Sequence, residues 1–277
     1  MTLETQEFAF SSAQFEEIRR LLYARAGIAL TEHKQSMVYA RLARRLRSLN
    51  MGDFSDYLRL LHTPQGEAEW QSFINALTTN LTSFFREDHH FQALGELLPL
   101  WQREYGQVRL WCAAASTGEE AYSMAITAVE SLGGLQIPLR ITATDIDTEV
   151  LRKAETATYP LSAIDALSLE RKRTFFLRGR GAHLGYARVR AEIRALIDFR
   201  QLNLLDPQWP LSEPFDAIFC RNVFIYFDKA TQNGILRRFV ELLRPQGRLF
   251  VGHSEVLNQV ADLWQPCGRT IYRLRRT

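Results

Sequence analysis

From Val108 to the C-terminus, short apolar runs alternate with helix-compatible stretches, and this rhythm restricts the fold more than any other feature of the chain. The runs are Val108 to Cys112, Leu139 to Thr144, Ile197 to Leu202, Ala217 to Cys220, Arg248 to Val251 and Thr270 to Leu274, with helices fitting at 119–132, 147–156 and 229–243. Strands joined through helices lie parallel in one sheet, and the helices cover both of its faces. Near-continuous apolar strands suit that environment, so a mostly parallel α/β sheet is expected.

Residues 1–80 follow a different pattern, with helical periodicity and no convincing strand. Ser11 or Ser12 can cap a helix through Tyr23, and Gly27 can stop it. A second helix fits from about Thr31 to Leu49, with an apolar stripe at Val38, Leu42, Leu46 and Leu49. The stretch 33–49 carries Lys34, Arg41, Arg44, Arg45 and Arg47 without an acid, a local basic patch on a chain whose net charge is only +3. Segment 160–195 also breaks the α/β rhythm. There Phe175 to Arg178, a glycine-rich loop at 179–185 and Tyr186 to Arg190 read as an antiparallel hairpin. The expected organisation is a helical domain at 1–80 and an α/β domain at 81–277, with a small β-subdomain inserted at about 173–203.

With 46% hydrophobic and 23% charged residues, the composition is that of an ordinary globular protein. No apolar run approaches the ~18 residues of a membrane span, and the N-terminus lacks a basic-then-apolar signal, so a cytoplasmic protein without membrane insertion is expected. Cys112, Cys220 and Cys267 are scattered, and two of them close apolar runs, as reduced core residues do. The histidines show no metal-ligand spacing, and the adjacent His89 and His90 would diverge on a helix, so no metal site is expected.

Trp111 to Met124 joins the first strand to the next helix through a turn of very small side chains. Small residues admit a ligand close to the backbone, and the helix start directs N–H groups into the crevice. The turn has only one glycine, Gly118, and the carboxylates of Glu119 and Glu120 follow it. These would repel a pyrophosphate and suit a ligand with ribose hydroxyls and cationic groups, such as S-adenosylmethionine. An ordinary strand-to-helix turn is the competing reading. Ligands of such sheets sit beyond the carboxyl ends of the strands. At the second end Asp145 can accept from ribose hydroxyls, while Asp147 serves as an N-cap. At the third, Asn203 either meets an adenine edge or is simply a turn residue. At the fourth, Arg221 and Asn222 stand in an apolar run where burial without partners is costly, and Tyr226 is either a pocket residue or a core tyrosine. Asn75 to Arg86 is rich in hydroxyl and amide groups around Phe84 and Phe85, as in a loop over a cofactor. Arg86 is there either to hold a carboxylate or as a surface arginine.

Five segments together resemble the CheR-type chemotaxis receptor methyltransferases. They are Asn-Ala-Leu-Thr-Thr-Asn-Leu-Thr-Ser-Phe-Phe-Arg (75–86), Ala-Ala-Ser-Thr-Gly-Glu-Glu (114–120), Thr-Asp-Ile-Asp (144–147), Phe-Cys-Arg-Asn-Val-Phe-Ile-Tyr-Phe (219–227) and Gly-His-Ser-Glu (252–255). The resemblance implies a Rossmann-like S-adenosylmethionine-dependent methyltransferase domain with a helical N-terminal domain and an inserted β-subdomain. It also implies methyl-ester formation on glutamates of methyl-accepting chemotaxis receptors, with S-adenosylhomocysteine as the product. It places Asn80, Thr82, Arg86, Glu119, Asp145, Asn203, Leu204, Arg221 and Asn222 around the cofactor, with Arg86 and Tyr226 nearest the transferred methyl. Ala121 departs from the proline usual after the two glutamates, which removes a pre-set first turn but no ligand group.

On this resemblance Lys34, Arg41, Arg44 and Arg45 offer a positive face to the glutamate-rich receptor cytoplasmic domains. The inserted hairpin resembles a β-subdomain that in some members holds a C-terminal receptor peptide, with Arg178, Arg180 and Arg188 available to its carboxylate. A monomer is expected. Two alternatives stay open: a nucleic-acid methyltransferase of the same fold, which lacks support from any aromatic-rich basic stripe or Asn/Asp-Pro-Pro-Tyr motif, and a non-catalytic cofactor-binding adaptor on receptor arrays.

Overall fold

The computed structural model describes residues 7–211 and 214–275, the side chain of Asn258 excepted, so the outermost residues of the expected domains lie outside the described ones. The chain forms two compact units, Met1–Thr79 with Tyr226–Asp228, and Asn80–Ile225 with Lys229–Thr277.

The first unit is helical. Helix α1 (Ser12–Ala26) begins at a capping box in which the Gln14 amide donates to Ser11 Oγ and the Ser11 amide to Gln14 Oε1; it ends at Gly27, whose φ is +68°. The second helix starts later than its periodicity suggests. Thr31 provides no side-chain cap, a 3-10 turn occupies Glu32–Lys34, and α2 runs Gln35–Leu49. Helices α3 (Phe54–Leu61) and α4 (Glu67–Leu77) complete the bundle. Val38, Leu42 and Leu46 of the expected stripe are buried with Ile18, Leu22, Phe54, Tyr57 and Phe73, whereas Leu49 is half-buried. The short segment 226–228 is held in this unit, with the Ala29 amide donating to the Tyr226 carbonyl over 2.8 Å and the Tyr23 hydroxyl to the Asp228 carboxylate.

The second unit opens with α5 (His89–Tyr105) and continues β1 (Val108–Cys112), α6 (Glu119–Leu132), β2 (Leu139–Asp145), α7 (Thr148–Thr156), β3 (Thr158–Pro160), α8 (Leu169–Phe175), β4 (Phe176–Arg178), β5 (Tyr186–Val189), α9 (Ala191–Arg194), β6 (Ile197–Gln201), β7 (Phe215–Cys220), α10 (Lys229–Leu242), β8 (Leu243–Val251), β9 (Trp264–Gly268) and β10 (Ile271–Leu274). The large sheet has seven strands in the order β6-β2-β1-β7-β8-β10-β9; it is parallel from β6 to β8, and β10 and β9 are antiparallel additions. All six residues of β7 are buried, as a central strand covered on both faces must be. Each buried Phe or Ile there stabilises the fold by roughly 1.5–3 kcal/mol. The one acid in that strand, Asp216, is tolerated because Arg244 contacts it at 2.8 Å and the Arg109 amide donates to it.

Two details differ from the sequence reading. The small sheet is three-stranded, β3-β5-β4, and takes β3 from upstream of the expected insert, while 197–201 forms the edge of the large sheet. A three-residue strand ending in proline has too little alternation to be visible in sequence. Its Tyr159 nevertheless matters, because the hydroxyl donates to the Thr117 carbonyl over 2.7 Å and so braces the turn after β1.

Candidate active site

Strand order reverses between β1 and β7, since β2 lies on one side of β1 and the chain later returns to its other side. The crevice beyond the carboxyl ends of these two strands is where such a sheet takes its ligand. The turn after β1 passes Ser116 at φ +49° and Gly118 at φ +98°. At Gly118 a Cβ would lie 2.9 Å from both Ala154 Cβ and Tyr159 Oη, so the turn requires glycine for space as well as for conformation. Helix α6 then starts with its N-terminal amides at the turn. The buried Glu119 carboxylate accepts from Thr117 Oγ1 at 2.6 Å, and burial raises its pKa.

Asp145 closes β2 beside this turn. It is buried and accepts from the Ser116 amide (2.8 Å) and the Asp147 amide (2.9 Å). Burial pushes its pKa up to about 6 against the pull of those amides. Asp147 caps α7 through the Glu149 and Val150 amides, and its other oxygen accepts from Asn80 Nδ2 at 2.8 Å. The Asn80 carbonyl accepts from Ser116 Oγ, so Asn80, Ser116 and Asp145 form one connected corner, with Thr82 half-buried two residues beyond Asn80. Asn203 uses its side chain to accept from the Leu205 amide, a turn-forming role, and the Leu204 side chain is buried.

Arg86 is bracketed by two residues in the left-handed region, Phe85 (φ +53°) and Glu87 (φ +58°). Such conformations cost about 1–3 kcal/mol and persist only where surroundings impose them. Here the Phe85 amide donates to Ser123 Oγ, and the Arg171 guanidinium lies 3.9 Å over the Phe85 ring while bonding both oxygens of Glu130. The half-buried Arg86 guanidinium donates to the Leu81 carbonyl over 3.0 Å.

The sequence reads Arg221 as facing a polar ligand or the site rim; in the structure groups of the protein itself meet its guanidinium. Its side chain is 1% exposed, 2.7 Å from Glu120 and 3.3 Å from Glu87, and it donates to the Arg86 carbonyl. One buried cation therefore ties the end of β7, the start of α6 and the loop of Arg86. Burial alone would raise the Glu87 pKa, but Arg221 and the His253 donors hold it below its ordinary value. His253 belongs to the Gly-His-Ser-Glu segment, but neither it nor Glu87 has a site role in the sequence reading; an arginine in an apolar run signals that such partners exist without naming them. The histidine expectation also changes. The His89 and His90 rings lie 4.1 Å apart and both Nε2 atoms face the Arg269 carbonyl, because the helix is only beginning there. With Glu87 they bring three metal-capable groups within 4.8 Å, although the cation at hand is the Arg221 guanidinium. His90 is buried and its pKa is lowered to about 3, mainly by desolvation.

The basic face of the helical unit is narrower than its sequence suggests. Arg45 is spent on Glu69, at 2.9 and 2.6 Å, inside a network that includes the Tyr57 hydroxyl, and Arg47 meets Glu7. Arg41 caps α4 by donating to the Leu77 and Thr78 carbonyls. Lys34 and Arg44 are exposed. In the small sheet, a cavity of about 700 Å³ is lined by Phe176, Leu177, Leu184, Arg178, Arg180 and Arg190 among others. Arg188 does not line it and donates to the Thr156 carbonyl instead; Arg190, not anticipated, takes its place.

Comparison with known proteins agrees with this geometry. Residues 80–273 match the SAM binding domain of CheR methyltransferases, and residues 13–78 match the all-alpha domain of the same enzymes. The chain belongs to the CheR methyltransferase family. It is 52% identical over 272 residues to the chemotaxis protein methyltransferase of Salmonella typhimurium, covering 98% of this chain and 93% of that protein. The corresponding figures are 50%, 98% and 94% for the Escherichia coli protein, and 49%, 96% and 95% for chemotaxis protein methyltransferase 2 of Pseudomonas aeruginosa. The CheR fold is accordingly a helical domain plus a Rossmann-like domain, and S-adenosylmethionine is the cofactor. The carboxylates of Asp145, a buried acceptor at a strand end, and of Glu119, buried at the start of α6, are of a chemistry that fits its ribose hydroxyls and cationic groups. Among the described residues no helix is long and apolar enough to cross a membrane.

Proposed function

We propose that this CheR-family methyltransferase esterifies glutamate side chains on the cytoplasmic domains of methyl-accepting chemotaxis receptors. The observation that carries the reading is the Arg86 loop, a strained segment with an arginine at its centre, anchored by Arg221 to the β7 end and the α6 start that form the cofactor crevice. S-adenosylmethionine supplies the activated methyl group, and S-adenosylhomocysteine is the product. Asp145 and Glu119 hold the cofactor, with Asn80, Thr82, Asn203, Leu204, Arg221 and Asn222 forming or supporting the surrounding wall.

A glutamate acceptor has an ordinary pKa of ~4.3 and is already ionised at neutral pH, so no strong general base is required. The remaining task is alignment, for which proximity and orientation supply up to roughly 7–11 kcal/mol. In this reading Arg86 orients the acceptor carboxylate, and Tyr226 shapes the methyl-transfer pocket. Esterification removes the negative charge that Arg86 holds, which favours release. The Leu81 carbonyl already occupies one Arg86 nitrogen and limits its grip on the ground state.

Charge on the helical unit, now centred on Lys34 and Arg44, attracts glutamate-rich receptor helices in the cytoplasm. The cavity of the small sheet, apolar at Phe176, Leu177 and Leu184 and cationic at Arg178, Arg180 and Arg190, suits a peptide ending in a carboxylate. A receptor tail held there would raise the local acceptor concentration. The test is transfer of radiolabelled methyl from S-adenosylmethionine to receptor-rich membranes, read as base-labile ester. Label with wild type and its loss in Arg86→Ala support the assignment; cofactor binding without any label on receptors overturns it.

A further inference from the structure

The Gly252-His253-Ser254-Glu255 segment directly follows β8. Glu255 is 4% exposed, and among the described residues its hydrogen-bond donors are backbone amides. Its Oε2 accepts from the Asn222 amide (2.9 Å) and the Gly252 amide (2.5 Å), and its Oε1 accepts from the Phe224 amide (2.8 Å); the Ile225 amide is a further donor. One buried carboxylate thus collects three backbone N–H groups, of Asn222, Phe224 and Ile225, from the segment that leaves β7, besides that of Gly252. Asn222 stands there at φ +58°, a conformation that asparagine tolerates but that nothing in its own sequence enforces. Gly252 faces the same residue: a Cβ at 252 would fall 2.3 Å from Asn222 Nδ2 and 2.8 Å from its amide nitrogen. The turn after β8 and the turn after β7 are therefore fitted to one another, with Glu255 as the anion and Gly252 as the space.

We infer that Glu255 is a positioning residue for methyl transfer, holding the 222–225 turn, and with it the β7 wall of the cofactor crevice, in the binding geometry. The inference rests on the reading that Asn222 borders the cofactor. A carboxylate suits this task because it is acceptor-only and serves several amides at once, whereas a neutral amide side chain would turn one of its ends, an N–H₂, against backbone N–H groups. Buried away from water, each amide left without its acceptor would favour a different turn conformation.

The test uses the full-length protein and two variants that attack the same fit from opposite sides. Glu255→Gln removes acceptor capacity and leaves the shape; Gly252→Ala keeps the carboxylate and pushes on Asn222. For both, calorimetry should show S-adenosylhomocysteine binding weakened on the order of tenfold or more, the size expected for loss of a charge-assisted hydrogen bond. Amide exchange should accelerate at 222–225, and KM for S-adenosylmethionine should rise while KM for the receptor acceptor stays unchanged. Should Glu255→Gln fail to fold, Gly252→Ala alone decides. Cofactor affinity within twofold of wild type, or a fall in kcat that merely tracks the folded fraction with KM unmoved, overturns the assignment. Cofactor binding involves no acceptor, so a wild-type protein that binds S-adenosylhomocysteine but never labels receptors refutes the proposed substrate and leaves the role of Glu255 standing.

Discussion

With Asp145 as the proposed acceptor of the ribose hydroxyls, its raised pKa predicts a cofactor affinity that depends on pH in a range where few carboxylates titrate. Burial holds this group at about 6 although the Ser116, Ile146 and Asp147 amides favour its charged form. Only the ionised carboxylate can accept from a second pair of donors, such as ribose hydroxyls, while keeping the Ser116 and Asp147 amides satisfied. The apparent dissociation constant then scales with the inverse of the ionised fraction. With a pKa of about 6, roughly one molecule in eleven is ionised at pH 5 and nearly all are at pH 8, so S-adenosylhomocysteine should bind about tenfold more weakly at pH 5. For the free protein the linkage has the opposite sense. The folded pKa lies above the ordinary 3.8, so the stabilising protonated form is fully present below about pH 4 and is lost as pH rises through about 6, at a cost on the order of 3 kcal/mol. Calorimetric titration with S-adenosylhomocysteine from pH 5 to 8, with circular dichroism confirming the fold at each pH, measures the first effect. Glu119, also raised by burial, contributes to any low-pH decline, and Asp145→Asn separates the two. That variant should bind weakly at pH 8 and show a flatter profile. Parallel profiles for variant and wild type, or a wild-type affinity constant from pH 5 to 7.5, would refute the assignment of Asp145 as the hydroxyl acceptor.

Arg221→Met should leave the largely buried Glu120 and Glu87 carboxylates without their cation, costing up to about 3–5 kcal/mol and lowering the melting temperature by roughly 10 °C in a thermal scan; a change below about 2 °C would show that the tie carries little. Gly118→Ala should weaken cofactor binding and lower stability by at least about 1–2 kcal/mol, since φ +98° and the contact with Tyr159 both oppose a Cβ; denaturant unfolding and calorimetry read the two effects. Ser11→Ala removes the α1 cap and should cost about 1 kcal/mol by denaturant unfolding while leaving the cofactor dissociation constant unchanged. A receptor tail peptide with a free C-terminal carboxylate should bind the small-sheet cavity by fluorescence anisotropy, weaken with Arg190→Ala and be unaffected by Arg188→Ala, the reverse order disproving the placement.

The α/β architecture was legible because periodicity and burial report the same physics: the apolar runs at Val108–Cys112, Leu139–Thr144 and Ala217–Cys220 are largely buried strands of the parallel sheet, and Ser11 and Gly27 mark helix ends by local hydrogen bonding alone. What escaped depends on partners distant in sequence. β3 is three residues long, and its meaning lies in Tyr159 reaching Thr117; α2 begins at Gln35, after a 3-10 turn at Glu32–Lys34. The same limit governs the candidate site. Arg221 and Arg86 are identical side chains in equally suggestive motifs, yet one is sealed between Glu87 and Glu120 and the other is half-buried beside a backbone carbonyl. Arg45 likewise reads as free charge until Glu69, on another helix, is found against it. A motif marks where polar groups must be satisfied, and the satisfying group can be a ligand or the protein itself. In this fold the residues that hold the site are the same types as those that would touch the ligand. Glu255, a buried carboxylate in one of the suggestive motifs, is committed to the chain's own amides.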